Sequence, residues 1–477
     1  MESLLYQSLI GIVGEDYVIA DKETKRPYEC DGLSVYTELP DYVVLPADTK
    51  EVMAVMSLCF QMNISVVARG AGTGLSAGAL PIKGGILLSL ARLNQILSID
   101  RDNGMATVQP GVRNLAISEA ASTCNLYYAP DPSSQIACSI GGNIAENAGG
   151  VHSLKYGLTV HNVYSLVVVT SEGKRIDIGN QSCDVAGFDL LALMIGSEGM
   201  LGVVTEINVK LLPIPETAKV VLVGFDSVEK AANAVNDVIS QGIIPAGLEM
   251  MDSYAITAAE DFAQAGYPTD AEALLLCELD GDIDDVTHQI ASVQHIFQQS
   301  GATSIRVSET EAERALIWKG RKSAFPAVGR ISPDYYCMDG TIPRRELANV
   351  LTKIHQLSRY YGLRVANVFH AGDGNLHPLI LFDANVPGEL EKTEAFGAEI
   401  LKTCVEAGGC ITGEHGVGVE KINEMHHQFN DAELEQFHRI KRALDPKEIL
   451  NPGKGIPQPK HCQEHRTLLA SQGGNNE

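Results

Sequence analysis

The chain has 477 residues, 45% hydrophobic and 20% charged, with 45 glycines and a formal net charge of −24. This length predicts two or three domains of a soluble globular protein, and the acidic balance excludes electrostatically driven binding to nucleic acid or to an anionic membrane. The 10 cysteines include no Cys-x-x-Cys pair, no apolar run reaches spanning length, and Met1 is followed by no basic region, so reduced thiols in a cytoplasmic protein are expected.

In chain order, residues 1–38 read as a helical extension ending in a loop. A short strand at 42–46 follows, then an amphipathic helix at 49–62 with Thr49 as its cap. The strand at 65–68 runs into a glycine cluster, Arg69, Gly70, Ala71, Gly72, Thr73, Gly74. Strand and glycine turn alternate through 85–90 and 106–108. A second cluster occupies 139–150 and contains Ser139, Gly141, Gly142, Asn143, Ala145 and Gly149. After a strand at 163–170, the third cluster at 196–202 leads into a strand at 203–211. Pro213 and Pro215 remove backbone donors and close this unit.

Strands at 220–225, 246–250, 273–279 and 304–307 then alternate with helices at 227–241 and 282–300. Two β-α-β units of similar length predict a ferredoxin-like sheet with helices on one face. Helices at 389–406 and 431–444 follow. The polar tail carries His461, Cys462 and His465, which lie beyond the last packed element and are expected to be disordered rather than metal-binding.

Each glycine cluster lets backbone amides approach a ligand closely. The first departs from Gly-x-Gly-x-x-Gly spacing, and no Gly-Lys-Ser/Thr follows it. Three such loops in one half of the chain fit an extended dinucleotide such as FAD.

The segment 370–377 carries the chemistry. Asp373-Gly374 between the apolar runs 365–369 and 378–382 suits a two-residue hairpin turn. Counting outward sets Gly372 opposite Asn375 and His370 opposite His377, so both imidazoles share a face. Glu414, from Gly413-Glu414-His415-Gly416, completes a two-histidine, one-carboxylate divalent site with open positions. His415 stays off the ion as a base, and Asn375 supports the turn. Alternatively, Glu414 is the base and the histidines orient it. The same ligand types also serve non-haem iron oxygenases, which use no flavin.

The motifs at 69–75, 130–134, 140–143, 196–202 and 451–454 resemble the flavin-binding motifs of the vanillyl-alcohol-oxidase (PCMH-type) superfamily. The hairpin and 413–416 narrow the resemblance to FAD-linked 2-hydroxy-acid dehydrogenases. Segments 318–330 and 335–343 are most similar to the glycolate oxidase flavin-subunit branch. The resemblance implies an α+β fold: a two-subdomain FAD-binding domain at 39–215, a ferredoxin-like cap at 216–430 carrying the metal site, and a segment at 431–457 returning to the first domain, before a tail at 458–477.

It implies FAD contacts at Arg69, Gly70, Ala71, Gly72, Thr73, Gly74, Pro130, Asp131, Ser139, Gly141, Gly142, Asn143, Ala145, Gly149, Glu198, Gly202, Val203 and Asn451. The flavin would be noncovalent, since the first loop has no histidine to attach it. Arg321 would clamp the substrate carboxylate. The 2-hydroxyglutarate enzymes place a lysine near the position of Cys337; its lack here points to a small monocarboxylate, glycolate or D-lactate. Zinc is the first choice of metal, with manganese or iron as alternatives. Electrons would leave through partners, a second flavin-type subunit and an iron–sulfur subunit, which would also allow peripheral membrane attachment. A flavin-binding assembly subunit, inactive alone, is the other functional class.

Overall fold

A computed structural model describes residues 2–182 and 186–458; His461, Cys462 and His465 lie outside them. Two main sheets build the first half, beside a two-stranded pairing of Leu126–Tyr127 with Leu212–Pro213. One runs Val18–Ile19, Tyr42–Val44, Ile86–Ser89, Val66–Arg69 in spatial order, its last three strands parallel. The helix Thr49–Met62 covers one face through Val52, Val55 and Met56, which pack with Val66, Ile86 and Leu88. With both faces covered, these strands are continuous apolar runs rather than alternating ones.

The second sheet is antiparallel, in the order Ile96–Asp100, Met105–Val108, Val203–Lys210, Val163–Val169, Arg175–Gly179.

Three local expectations change in this half. The N-terminal region is no separate extension: Val18–Ile19 pairs with the strand at Tyr42–Val44, and Leu5, Leu9 and Val13 enter its core. The cap of the first long helix is Asp48, whose carboxylate accepts from Glu51 N at 2.9 Å. Most of the second glycine cluster, read as a loop, is a helix, Ile140–Glu146, capped by Ser139. Glycine at 141 is required there because a Cβ would press on Pro110, including its carbonyl oxygen at 3.0 Å.

The second half is built on a seven-stranded sheet, in the order Ser304–Val307, Thr217–Phe225, Ala273–Gly281, Gly247–Asp252, Val365–His370, Asn375–Phe382, Asp334–Cys337. Its first four strands have the ferredoxin-like order. Both faces are covered, however, and not one. Val221, Val223 and Phe225 face the helices Val228–Ser240 and Ile283–Gln299. Val220 and Leu222 face the other way, onto Ser253–Ala263 and Glu311–Lys322. A strand of period two with apolar residues at both parities has to be sandwiched.

The hairpin register also differs. His370 pairs with Asn375, and His377 with Val368. The loop holds four residues because the neighbouring chain claims its backbone: Gly372 N donates to Leu248 O at 2.9 Å, and Ile342 N to Gly374 O at 3.0 Å. A two-residue shift preserves the face, where a one-residue shift would have reversed it. His370 and His377 therefore still meet, as diagonal neighbours.

The segment after 430 returns to the first half. Asn451 N donates to Val66 O at 2.8 Å, and Lys441 Nζ to Met200 O at 2.7 Å. The eight described cysteines are all free thiols. Among the described residues no helix is long and apolar enough to cross a membrane.

Candidate active site

The glycine clusters converge on one cavity of about 1500 Å³, open mouth included. Its wall includes Arg69, Gly70, Ala71, Gly72, Thr73 and Gly74, Ser139, Gly141, Gly142, Asn143, Ala145, Glu198, Gly202 and Val203. Four residues assigned to this wall from the sequence are not on it. Pro130 and Asp131 give way to Pro132, Ser133 and Ser134. Asp131 instead pairs with His152, 3.0 Å away. Gly149 backs Glu414, whose Oε2 would lie 2.8 Å from an added Cβ. Asn451 stands one layer behind, donating to Gly78 O at 3.0 Å and Glu198 O at 2.8 Å.

The cavity suits a ligand that needs close backbone approach. A Cβ on Gly70 would run into Ser139 Oγ, and one on Gly72, at φ +72°, into the Arg69 guanidinium. Gly72→Val is therefore expected to abolish flavin loading, because the residue must hold a left-handed backbone while displacing Arg69. The ratio of absorbance at 450 to 280 nm in the purified variant checks this; full yellow loading would show that flavin binding does not depend on this loop.

Phe325, His377, Glu414 and His415 border the same cavity. His370, His377 and Glu414 bring one ligand atom each to within 4.8 Å of one another. Glu414 Oε1 is 3.1 Å from His377 Nε2 and 3.5 Å from His370 Nε2. Tetrahedral bonds of about 2.1 Å would set ligand atoms about 3.4 Å apart, so the donors already stand at an ion's coordination edges. The rings of His370 and His377 are nearly perpendicular at 88°, with centroids 5.0 Å apart.

Cys337, His377 and His415 form a second group with clustered donor atoms. There the rings of His377 and His415 are stacked, with centroids 5.0 Å apart and an interplanar angle of 16°. His415 stands beside the first set, its Nε2 3.9 Å from Glu414 Oε1.

Two buried carboxylates that the sequence reading passed over organise the site. Asp339 accepts from Gly413 N at 3.0 Å and His415 N at 2.9 Å, from Glu414 N at 3.2 Å, and from Thr412 Oγ1 at 2.6 Å. Burial would raise its carboxyl, but His415, Lys421 and His377 outweigh that and hold it below the usual range. Glu249 accepts at Oε1 from His370 Nδ1 at 2.8 Å, while its Oε2 lies 2.6 Å from Arg321 Nη2. A carboxylate on the far nitrogen of a histidine fixes its tautomer and aims the other nitrogen at an ion. The signal in the sequence is an acidic residue inside an apolar strand, Gly247–Asp252.

The charges favour a cation. Burial opposes ionisation of Glu414, yet hydrogen bonding to His370 and His377 holds it well below the ordinary carboxylate range. Burial would lower His370, but Glu249 and Glu414 raise it far above a normal imidazole. The cluster draws positive charge, which a proton or a divalent ion could supply. His415 behaves oppositely: burial pushes it down to about 4, with Asp339 opposing. It is a neutral imidazole at neutral pH. Glu414 Oε2, His415 Nδ1, Asn375 Oδ1 and Arg321 Nε are buried without hydrogen-bond partners, a concentration that marks a ligand site. Arg321 itself is buried and absent from the cavity wall.

Comparison with known proteins agrees with this geometry. Residues 40–179 match the FAD binding domain family, and residues 214–455 match the C-terminal domain of FAD linked oxidases. The chain is 61% identical over 447 residues to the glycolate oxidase subunit GlcD of Escherichia coli strain K12, covering 94% of this chain and 90% of that one. It is 32% identical to the D-lactate dehydrogenase of Anaerostipes hadrus, covering 92% and 94%. In fold it is similar to the 4-ethylphenol oxidase of Gulosibacter chungangensis, with a TM-score of 0.82 at 19% identity over 96% and 98% of the two chains. It is likewise similar to p-cresol methylhydroxylase, with a TM-score of 0.80 at 17% identity over 96% and 97%. The two family matches together with the 61% identical relative show that the chain is a flavoprotein oxidoreductase and belongs to the FAD-linked oxidase family.

Proposed function

We propose that this chain oxidises a small 2-hydroxy monocarboxylate, glycolate or D-lactate, to the 2-oxo acid. The observation that carries the reading is that His377, Glu414 and His415 border the same cavity as the flavin-binding glycine loops. The three glycine clusters would hold FAD noncovalently, and the flavin would supply the hydride-accepting chemistry for oxidation at the substrate's alpha carbon. His370, His377 and Glu414 would hold a divalent ion, zinc by first choice, whose Lewis acidity lowers the pKa of a hydroxyl bound there.

The chain's own residues do the rest. Glu249 orients His370 through its Nδ1, and the Met338 carbonyl, 3.3 Å from His377 Nδ1, orients His377. Asp339 fixes the backbone of Gly413, Glu414 and His415, while burial keeps the His415 imidazole neutral and able to take the hydroxyl proton. Arg321 is held by Glu249 with its Nε unpartnered, and a planar fork of that kind suits a carboxylate. Cys337 puts no cation near the site for a second carboxylate.

GlcD is named as a subunit of glycolate oxidase. We read this chain also as a subunit, which passes electrons to a second flavin-type subunit and an iron–sulfur subunit and reaches the membrane, if at all, through them.

The test is a substrate panel on the FAD-loaded chain with an artificial electron acceptor and FAD in excess. Turnover is expected with glycolate or D-lactate and not with 2-hydroxyglutarate. Chelation should stop it and a divalent ion restore it, and acid or heat should release free FAD. A yellow protein inert towards the whole panel would favour the assembly-subunit reading instead.

A further inference from the structure

The segment carrying Glu414 and His415 hangs between two carboxylates, one from each half of the molecule. On one side Asp339, just beyond the strand Asp334–Cys337, takes the amides of Gly413, Glu414 and His415. On the other, Glu198 from the third glycine cluster accepts Val417 N at Oε1 and Gly418 N at Oε2, both at 2.7 Å. Ser76, just after the first cluster, adds its carbonyl, accepting Val419 N at 2.9 Å and Glu420 N at 3.1 Å.

The contact is tight. A Cβ on Gly418, at φ +51°, would collide with Ser76 O, and one on Gly416 with Glu146 Oε2. Glu198 is also on the wall of the flavin cavity. Its backbone sits at φ +50°, a conformation a non-glycine residue seldom keeps unless its surroundings impose it. Asn451 Nδ2 clamps its carbonyl at 2.8 Å.

We propose that Glu198 couples the two ligand sites, so that FAD and the divalent ion each tighten the binding of the other. Ordering the third cluster around FAD fixes the Glu198 carboxylate, and through Val417 and Gly418 this fixes the position of Glu414. An ion drawing Glu414 towards His370 and His377 fixes the same segment from the other end. Linkage requires the two effects to be equal. The inference rests on the reading of His370, His377 and Glu414 as metal ligands. Glu198 acts here as a positioning residue, through the segment it holds.

The experiment measures the FAD dissociation constant of the full chain, by the fluorescence of flavin released on dilution. It is run on zinc-loaded and on chelator-treated protein, with zinc content determined in parallel. In the parent, chelation should weaken FAD binding by about tenfold or more, within the usual range for coupled sites. In Glu198→Gln the ratio should fall to within about twofold of one, whatever happens to the absolute affinity. A merely structural or direct flavin contact would change that affinity and leave the ratio intact. Gly418→Ala, which unseats the segment from Ser76 without touching the cavity wall, should lower the ratio likewise, and it decides the matter if Glu198→Gln does not hold flavin. A parent that binds zinc with no change in FAD affinity overturns the coupling, as does an undiminished ratio in both variants. A parent that binds no zinc overturns the metal reading itself, and the coupling with it.

Discussion

His415→Ala is expected to keep its divalent ion and its FAD and yet to lose about two to four orders of magnitude in turnover, the range for removing a general base. The expectation rests on position and charge together. His415 is stacked on His377 and 3.9 Å from Glu414, beside the ligand set and outside it. Burial holds its imidazole at about 4, so the free base is fully formed above that pH. A bound cation can only depress it further. The pH profile of kcat/KM should therefore lack a histidine inflection near 6.5 arising from this residue. His370→Ala, His377→Ala and Glu414→Gln should each lose both ion and activity. Elemental analysis of the four variants beside their turnover decides the assignment. If all four keep one equivalent of metal, the site is elsewhere; if His415→Ala alone loses it, ligand and base have been exchanged.

How far the sequence could be read depended on whether the signal was local. The helices Glu389–Glu406 and Asp431–Leu444 and the strand Ser304–Val307 declare themselves through local periodicity, the second helix also through its Asn430 cap. The pairing of His370 with His377 on one face survived a wrong turn type, because face depends only on parity. The turn did not survive, since its backbone bonds go to Leu248 and Ile342, more than 20 residues away in the chain. Glu249 and Asp339 went unread for the same reason. Neither lies near the hairpin in sequence, and their function exists only once the strands Gly247–Asp252 and Asp334–Cys337 are assembled with it in one sheet. The helix Ile140–Glu146 hid behind two glycines whose low helix propensity is overridden by packing against Pro110. The glycine motifs line one cavity, whereas Pro130, Asp131, Gly149 and Asn451 are off its wall, a difference that motif resemblance does not resolve.

The pair Glu249 and Arg321 should separate support from substrate binding. Glu249→Gln keeps the shape of the side chain and removes the charge that makes His370 a strong donor. It is expected to weaken metal binding by about 10–100-fold, the usual cost of losing an outer partner of a metal-bound histidine. Arg321→Lys keeps the charge beside Glu249 but loses the planar fork. Metal and FAD contents should stay at the parent level while KM for the 2-hydroxy acid rises strongly, because an ammonium cannot make the two-pronged contact with a carboxylate. Arg321→Met is a different experiment. It strands a buried carboxylate without its counter-ion, and breaking such a pair costs about 3–5 kcal/mol, so loss of stability would mask any kinetic effect. The informative result is the split between the first two variants, read by metal titration and steady-state kinetics on the FAD-loaded chain. If Arg321→Lys leaves KM unchanged and only lowers the melting temperature, Arg321 is the counter-ion of Glu249 alone, and the substrate carboxylate must be held by another group.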